Sequence, residues 1–301
     1  MSPGPTVAAV TVTYNSAAVL PGFLDTLADG FAGLDGWRLV VADNASTDAT
    51  LDVLGGRASE ATVVRSSHNA GFAAGVNAAV AAAGPSPAYL VVNPDTRLGR
   101  ACVRRLQAAL DAPGTGIAVP RLLDGQGHLS HSLRRWPTVR RALCEALLGG
   151  RLAARCGLGE VVTEAAAYAA PRTADWATGA VMLVSAACMA AVGPLDESFF
   201  LYSEETDFAM RARDAGFALR YVPDAVAVHL GGGAHDSPRL WSLLVVNKVR
   251  LFGRHHGRLH TAAFWAGVTA GEGVRALAGR ATSRAAVRAL LRRPTRPGPA
   301  R

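Results

Sequence analysis

Three observations predict an α/β fold built on a largely parallel sheet. Short apolar runs rich in valine, at 7–13, 37–42, 62–65 and 89–92, alternate with stretches of helical spacing. Most of these runs end in polar turns, Tyr14-Asn15-Ser16, Asp43 to Asp48 and Asn93-Pro94-Asp95, at the strand ends where such sheets gather ligands. Half of the 301 residues are hydrophobic and 32 are glycine, so a sizeable core is within reach and global disorder is excluded.

The elements follow in order. Residues 7–13 read as a buried strand. Over 17–29, Leu20, Phe23, Leu24 and Leu27 fall on one helical face. A second strand spans 37–42, and Ser46 or Thr47 can cap a helix from about 49 to 54. A third, shorter strand covers 62–65. Residues 71–83 open with glycine and continue as an alanine-rich helix, closed by Gly84-Pro85. The fourth strand, 89–92, precedes a helix over 98–110. After residue 115 the alternation weakens, and 121–172 mix arginines, glycines and short apolar runs, which predicts a loop-rich insertion or lid. A strand resumes at 176–184, a helix at 208–216, and two short strands at 219–222 and 226–229. From Trp241 onward only helices are expected, and there is no internal repeat.

The net charge of +8 is unevenly placed. Residues 241–301 hold 12 Lys/Arg against Glu272 alone, whereas residues 1–240 hold 19 against 22 acids. Such a tail points to an anionic partner, nucleic acid or a membrane surface. No nucleic-acid recognition motif accompanies the arginines, which leaves the membrane. The apolar stretch 261–270 is bounded by Arg258 and Arg275 with Glu272 between them, too short for the roughly 20 apolar residues of a spanning helix. Val274, Leu277, Ala278 and Ala281 recur at helical spacing, with Arg275, Arg280 and Arg284 available for the opposite side, and 286–291 is again apolar between arginines. That pattern predicts a basic amphipathic helix lying among lipid headgroups, the plainer reading being that these apolar residues pack on the rest of the chain or on a partner subunit. The cysteines, Cys102, Cys144, Cys156 and Cys188, lie far apart without a C-x-x-C pair, which argues against zinc or a disulfide framework and for a reducing compartment. Residues 1–6 lack the basic and apolar segments of a signal peptide.

Several motifs carry chemistry, each beside a plainer reading. Thr13 and Asp43 end the first two strands and face a shared crevice, where a carboxylate can accept the imide N–H of uracil or thymine; Asp43 equally suits a turn. Asn69 to Asn77 place Gly71 and Gly75 where a loop enters a helix, so backbone can approach a phosphate or sugar, although glycines also serve helix packing. The segment is neither a Walker loop nor a Rossmann fingerprint. Pro94 ends a strand and turns Asp95 out at the sheet edge, as a hard cation requires and as any Asn-Pro-Asp turn does. Ser203 to Asp207 hold three acids. They complement a helix dipole, and they also raise the proton affinity of one member, as a general base needs. Glu204 and Asp207 have the spacing of a capping pair, which leaves Glu205 free. His229, ahead of Gly231, Gly232 and Gly233, is either a settled loop histidine or a metal ligand on an active-site loop. Metal, base and imidazole together suit sugar transfer from a nucleotide diphosphate.

The order of these pieces resembles glycosyltransferase family 2, the inverting enzymes of GT-A fold, and in particular its rhamnosyltransferase-like branch. The resemblance spans about residues 6–235. It is carried by Val12-Thr13-Tyr14-Asn15, Asp43 to Asp48, Asn69 to Asn77, Asn93 to Thr96, Asp175 to Ala180, Gly193 to Asp207, Arg211 to Gly216 and His229. It implies that residues 1–238 form the catalytic domain, with a nucleotide-binding half at about 6–115, an acceptor-binding half at about 116–238, and 239–301 as an extension. Thr13 and Asp43 would contact the nucleoside, with Asn69, Gly71, Asn77 and Asn93 in the donor pocket. Asp95 and His229 would bind Mg²⁺ or Mn²⁺ with the diphosphate. Trp176, Gly179, Ala180 and Glu204 would shape the acceptor site, Trp176 with a sugar-stacking face, and Glu205 would be the base. Asn93 stands where the family usually has the first Asp of Asp-x-Asp, and Glu205 where it usually has Asp. The branch implies dTDP-L-rhamnose as donor, a UDP-sugar (galactofuranosyl or N-acetylglucosaminyl) being the alternative. The acceptor would be a lipid-linked or polysaccharide glycan of the cell surface, reached from the cytoplasmic face of the membrane. An inactive nucleotide-sugar-binding protein is the competing class, supported by the two departures, and self-association stays open.

Overall fold

The computed structural model describes residues 7–57, 61–231 and 237–292. In chain order the elements are β1 (Val7–Thr13), α1 (Leu20–Gly30), β2 (Trp37–Asp43), α2 (Thr50–Gly55), β3 (Thr62–Arg65), α3 (Phe72–Ala83), β4 (Ala88–Val92) and β5 (Thr96–Leu98). They continue with α4 (Cys102–Leu110), β6 (Thr115–Leu123), β7 (Leu133–Arg134), α5 (Val139–Leu148), α6 (Gly150–Arg155), β8 (Arg172–Ala174), β9 (Trp176–Ala177) and β10 (Val181–Ser185). Last come α7 (Ala186–Val192), α8 (Glu204–Asp214), β11 (Ala218–His229), α9 (Pro238–His255), α10 (Arg258–Leu277) and α11 (Ala281–Leu291). The chain divides into two compact units, residues 1–135 with 161–231, and residues 136–160 with 232–301.

The first unit holds the expected α/β sheet, in the order β3-β2-β1-β4-β10-β6-β11-β5, with β8 also paired to β11. Strands β3, β2, β1, β4, β6 and β11 run one way, and β10, β5 and β8 oppose them. Every residue of β1 and β4 is buried, because helices cover both faces of the sheet. Val10, Val40 and Val91 pack with Ala73 and Val76 of α3 on one face; Ala9, Val41 and Leu90 pack with Phe23 and Leu27 of α1 and Leu106 of α4 on the other. Each such large side chain contributes about 1.5–3 kcal/mol.

Local differences from the sequence reading have physical causes. Strand β6 lies where the alternation weakens, disguised by Gly116 and Pro120. A Cβ on Gly116 would sit 2.6 Å from Phe217 Cβ and 2.8 Å from Cys188 Sγ, so packing demands glycine within this strand. The helix expected from residue 98 begins only at Cys102, after Ala101 turns left-handed (φ 54°), and Thr96–Leu98 is a strand. The run 176–184 splits into β9 and β10 around Thr178, Gly179 and Ala180. The two short strands near the C-terminal side are one strand, β11, with a register shift between Val222 and Val226. Helix α8 begins at Glu204, four residues earlier than expected.

In the second unit, part of the expected loop-rich segment is helical, forming α5 and α6. Thr138 Oγ1 accepts the Arg141 N–H and caps α5. Gly267 and Gly271 of α10 leave room for Ala142 and Ala146 of α5, which an added Cβ would meet at 3.2 and 3.3 Å. The rings of Phe252 and Phe264 stack with centroids 4.0 Å apart beside Ala142. Lys248 Nζ lies 2.5 Å from Glu160 and 3.7 Å from Glu145. Trp241 and Arg275 both donate to the buried Glu272. Arg275 is therefore turned inward rather than standing on an outer basic face. Among the described residues, no helix is long and apolar enough to cross a membrane.

Candidate active site

The parallel register of β1 and β2 sets Thr13 opposite Asp43 at the C-terminal edge of the sheet. Thr13 Oγ1 donates to Asp43 at 2.9 Å, and Ser46 donates to the same carboxylate from N (3.0 Å) and Oγ (2.5 Å). Both Thr13 and Asp43 are buried. Asp43 thus holds the turn together. Asn15, left-handed at φ 51°, accepts the Thr47 N–H on its Oδ1 and binds the tips of the first two strand-end loops to each other.

Asn69 caps the next loop by accepting the Gly71 N–H at 3.0 Å, and Asn44 Nδ2 donates to Gly71 O at 2.8 Å. Gly71 is left-handed (φ 93°), and a Cβ there would lie 2.3 Å from Phe200 O. The next amide, Phe72 N, donates to that same Phe200 carbonyl at 2.6 Å. The Asn69–Phe72 loop is therefore anchored to the segment that leads into the acidic helix. Asn77, expected in the donor pocket, is held by hydrogen bonds: its Nδ2 donates to Leu195 O and Glu197 Oε1, and its Oδ1 accepts the Leu195 N–H, all at 2.9 Å. It ties α3 to residues 195–197.

Asp95 and His229 come together because β5 pairs antiparallel with the end of β11, His229 opposite Thr96. Leu230 N donates to Asp95 O at 3.0 Å, and His229 Nε2 lies 3.3 Å from Asp95 Oδ2. The other carboxylate oxygen, Oδ1, is buried without a hydrogen-bond partner. Burial pushes the Asp95 carboxyl up, but the hydrogen bond and charge of His229, with the N–H groups of Asp95 and Gly231, more than offset it. The carboxyl is held below its ordinary range, so it is an anion with an unused lone pair.

The acidic cluster opens α8, whose N-terminus favours negative charge. Asp207 pairs with Arg211 at 2.7 Å, and Ser203 makes no side-chain cap, so the capping pair expected of Glu204 and Asp207 is absent. Glu204 is buried, and Glu204 and Glu205 each carry a buried Oε2 with no partner. Burial pushes both carboxyls up; Glu205 pushes Glu204 further, while backbone amides and Arg134 pull Glu205 down without reversing the shift. Two adjacent buried carboxyls cannot both ionise cheaply, so the pair retains a proton well above the ordinary carboxylate range. Gly179 lies against Glu205, where a Cβ would meet the Glu205 Cβ at 3.3 Å. Its neighbour Ala180 is buried and accepts the Asn93 N–H on its carbonyl at 2.9 Å. The antiparallel β4–β10 pair thus sets the Asn93–Asp95 loop beside residues 179–180, and Glu205 also lies against Gly179.

Trp176 is buried, its Nε1 donates to Arg135 O at 3.1 Å, and the Arg134 guanidinium lies 5.9 Å from its ring centroid. It does not present the open stacking face expected of it. Sequence reasoning missed Arg134, which sits opposite Trp176 in the β7–β9 pair and acts electrostatically on Glu205; a lone arginine in an arginine-rich segment carries no motif. It also missed the strain before α8, where Phe200, Tyr202 and Ser203 are all left-handed (φ 64°, 69° and 79°).

With this geometry in view, comparison with known proteins is informative. The chain is 28% identical over 231 residues to N-acetylglucosaminyl-diphospho-decaprenol L-rhamnosyltransferase of Mycobacterium tuberculosis, covering 73% of this chain and 74% of that protein. It is 35% identical over 68 residues to the rhamnosyltransferase WbbL of Escherichia coli, covering 23% of this chain and 25% of that protein. Among solved structures, the mannosyltransferase PcManGT from Pyrobaculum calidifontis, in complex with GDP-Man and Mn²⁺, superimposes with a TM-score of 0.60 at 17% identity, over 93% of this chain and 78% of that one. The likeness bears out the GT-A fold. The family model described as Glycosyl transferase family 2 matches residues 8–169, more than half of the sequence, and the chain belongs to that family of glycosyltransferases.

Proposed function

We propose that this glycosyltransferase transfers L-rhamnose from dTDP-L-rhamnose, with inversion, to a lipid-linked acceptor of the N-acetylglucosaminyl-diphospho-polyprenol type. The observation that carries the reading is the shared anchorage on residues 179–180. Asn93 N, two residues before the anionic Asp95 that lies 3.3 Å from His229, donates to Ala180, and Gly179 lies against Glu205. In this reading Glu205 takes the proton of the acceptor hydroxyl as it attacks the sugar from the face opposite the departing nucleotide. Burial and the Arg134 guanidinium set its proton affinity, and Trp176 supports the acceptor side from behind. Asn69 and Gly71 hold the donor-side loop, and Thr13 and Asp43 fix the nucleoside end. The nucleotide lies within the half up to about residue 115 and the acceptor in the half that follows, to about 238.

The orphaned, buried Oδ1 of Asp95 and the adjacent imidazole of His229 form a donor set that suits Mg²⁺ or Mn²⁺. Among the described residues no group of three or more His, Cys, Asp or Glu side chains converges, so diphosphate and water oxygens would complete the shell. Such a cation supplies neutralisation of the negative charge on the departing diphosphate. The rhamnosyl donor is supported by the relatives' names, and the lipid-linked acceptor by that of the mycobacterial one.

The test is acceptor-dependent release of nucleotide diphosphate by the purified chain with Mn²⁺, comparing dTDP-L-rhamnose, UDP-N-acetylglucosamine, UDP-galactofuranose and GDP-mannose. The expected outcome is dTDP release stimulated by the polyprenyl-linked acceptor. Faster turnover of a UDP-sugar would overturn the donor, and donor binding without any turnover would make the chain a binding protein.

A further inference from the structure

Helix α10 exposes apolar side chains along its whole length. Leu259, Ala263, Ala266, Ala270, Val274 and Leu277 all face solvent, at steps of three or four residues, so they form one continuous stripe. Leu277 is 92% exposed, Leu259 86% and Val274 57%. The stripe carries no charge, and at about 1.5 Å per residue it runs roughly 27 Å. The helix's other faces are occupied within its unit: Phe264 enters the core, Gly267 and Gly271 seat α5, and the buried Glu272 binds Trp241 and Arg275. Soluble chains rarely leave so long an apolar strip uncovered without a partner for it.

Helix α11 supplies the complementary chemistry. Arg280, Arg284, Arg288 and Arg292 recur every fourth residue and are all exposed. A short turn through Gly279 (φ 94°) folds α11 back on α10, and Trp265 Nε1 donates to Leu290 O at 3.1 Å. The one acid of α10, Glu272, is buried, and α11 has none.

We propose that this surface docks on an anionic lipid bilayer. The α10 stripe enters the headgroup–acyl boundary, and the α11 arginines meet lipid phosphates. Pairing of two copies along the stripe would leave the arginine row without an anionic partner, and a nucleic acid has no use for a leucine-bearing stripe. The helices lie on the membrane and do not cross it.

Flotation of the full chain with phosphatidylcholine vesicles, with or without about one-third phosphatidylglycerol, reads this surface whatever sugar the first unit transfers. Binding is expected to the anionic vesicles, to weaken in high salt, and to be nearly absent on pure phosphatidylcholine. The pair Val274→Asp with Leu277→Asp, and the pair Arg284→Glu with Arg288→Glu, should each lower the bound fraction at least about tenfold. Both replace exposed side chains, so circular dichroism and transfer to a water-soluble acceptor analogue should be unchanged. No flotation by the native chain, or equal flotation by both variants, overturns the proposal. So does a dimer in sedimentation that the aspartate pair makes monomeric while vesicle binding is untouched, or duplex DNA binding tighter than vesicle binding.

Discussion

Asp95 and the Glu204–Glu205 pair are acids at element ends, yet the fold pushes them in opposite directions. Burial raises both. At Asp95 an imidazole and two backbone amides overturn the effect; at Glu204 a second carboxyl reinforces it. Residue type alone therefore assigns neither role. The company each carboxyl keeps makes one a standing anion, and the other a group that binds a proton near neutral pH.

The largest effect is expected at Glu205. Glu205→Gln keeps the shape of the side chain but cannot accept a proton, and should cost about 10²–10⁴-fold in kcat while donor affinity holds. Stopped-time assays alongside donor titration decide it; near-native turnover in Glu205→Gln, with loss in Glu204→Gln, would move the base to Glu204. On the anionic side, Asp95→Ala or His229→Ala should reduce metal-dependent donor binding and turnover by about 10–100-fold. Calorimetric titration with Mn²⁺ present or chelated reads this, and native behaviour of both variants in chelator removes the metal from the account.

The shared anchorage can be strained without touching either acid. Gly71→Ala places a Cβ against Phe200 O in a left-handed backbone, and should destabilise the fold by about 1–3 kcal/mol. Thermal unfolding at fixed pH measures it, and an unchanged midpoint would mean that the two loops move independently. The smallest effect expected is in pH dependence. The folded chain keeps a proton on the glutamate pair that the unfolded chain has lost, so this pair's contribution to stability falls as pH rises above the ordinary carboxylate range. Activity should rise over the same interval as Glu205 deprotonates. Arg134→Gln removes a positive charge that pulls Glu205 down, so the rise should move to higher pH. An unmoved profile would show that Arg134 does not act on Glu205.

Much of this was legible in the sequence, for reasons that differ by element. Strands β1, β2 and β4 announce themselves because a sheet covered on both faces needs uninterrupted apolar runs, and Val10, Val41 and Val91 supply them. Strand β6 hides because Gly116 and Pro120 read as breakers, while the demand for Gly116 comes from Phe217 and Cys188, far away in sequence. Helices α5 and α6 hide among arginines and glycines because part of what stabilises them is contact with α10. At the site, the Asp95–His229 pairing follows from motif order, whereas the fixation of Asn77 by Leu195 and Glu197 depends on tertiary contacts no local pattern records. The inward turn of Arg275 toward Glu272 is equally invisible to helical spacing.

The left-handed run at Phe200, Tyr202 and Ser203 has a consequence for how such a chain can be altered. Each of these positions costs the fold something that glycine would relieve. Screens for thermal resistance should therefore recover glycine at these three sites. The same replacements loosen the segment that leads into Glu204 and Glu205, so hardier variants from such a screen should be slower enzymes. Heat tolerance and catalytic speed are set against each other in a stretch of four residues.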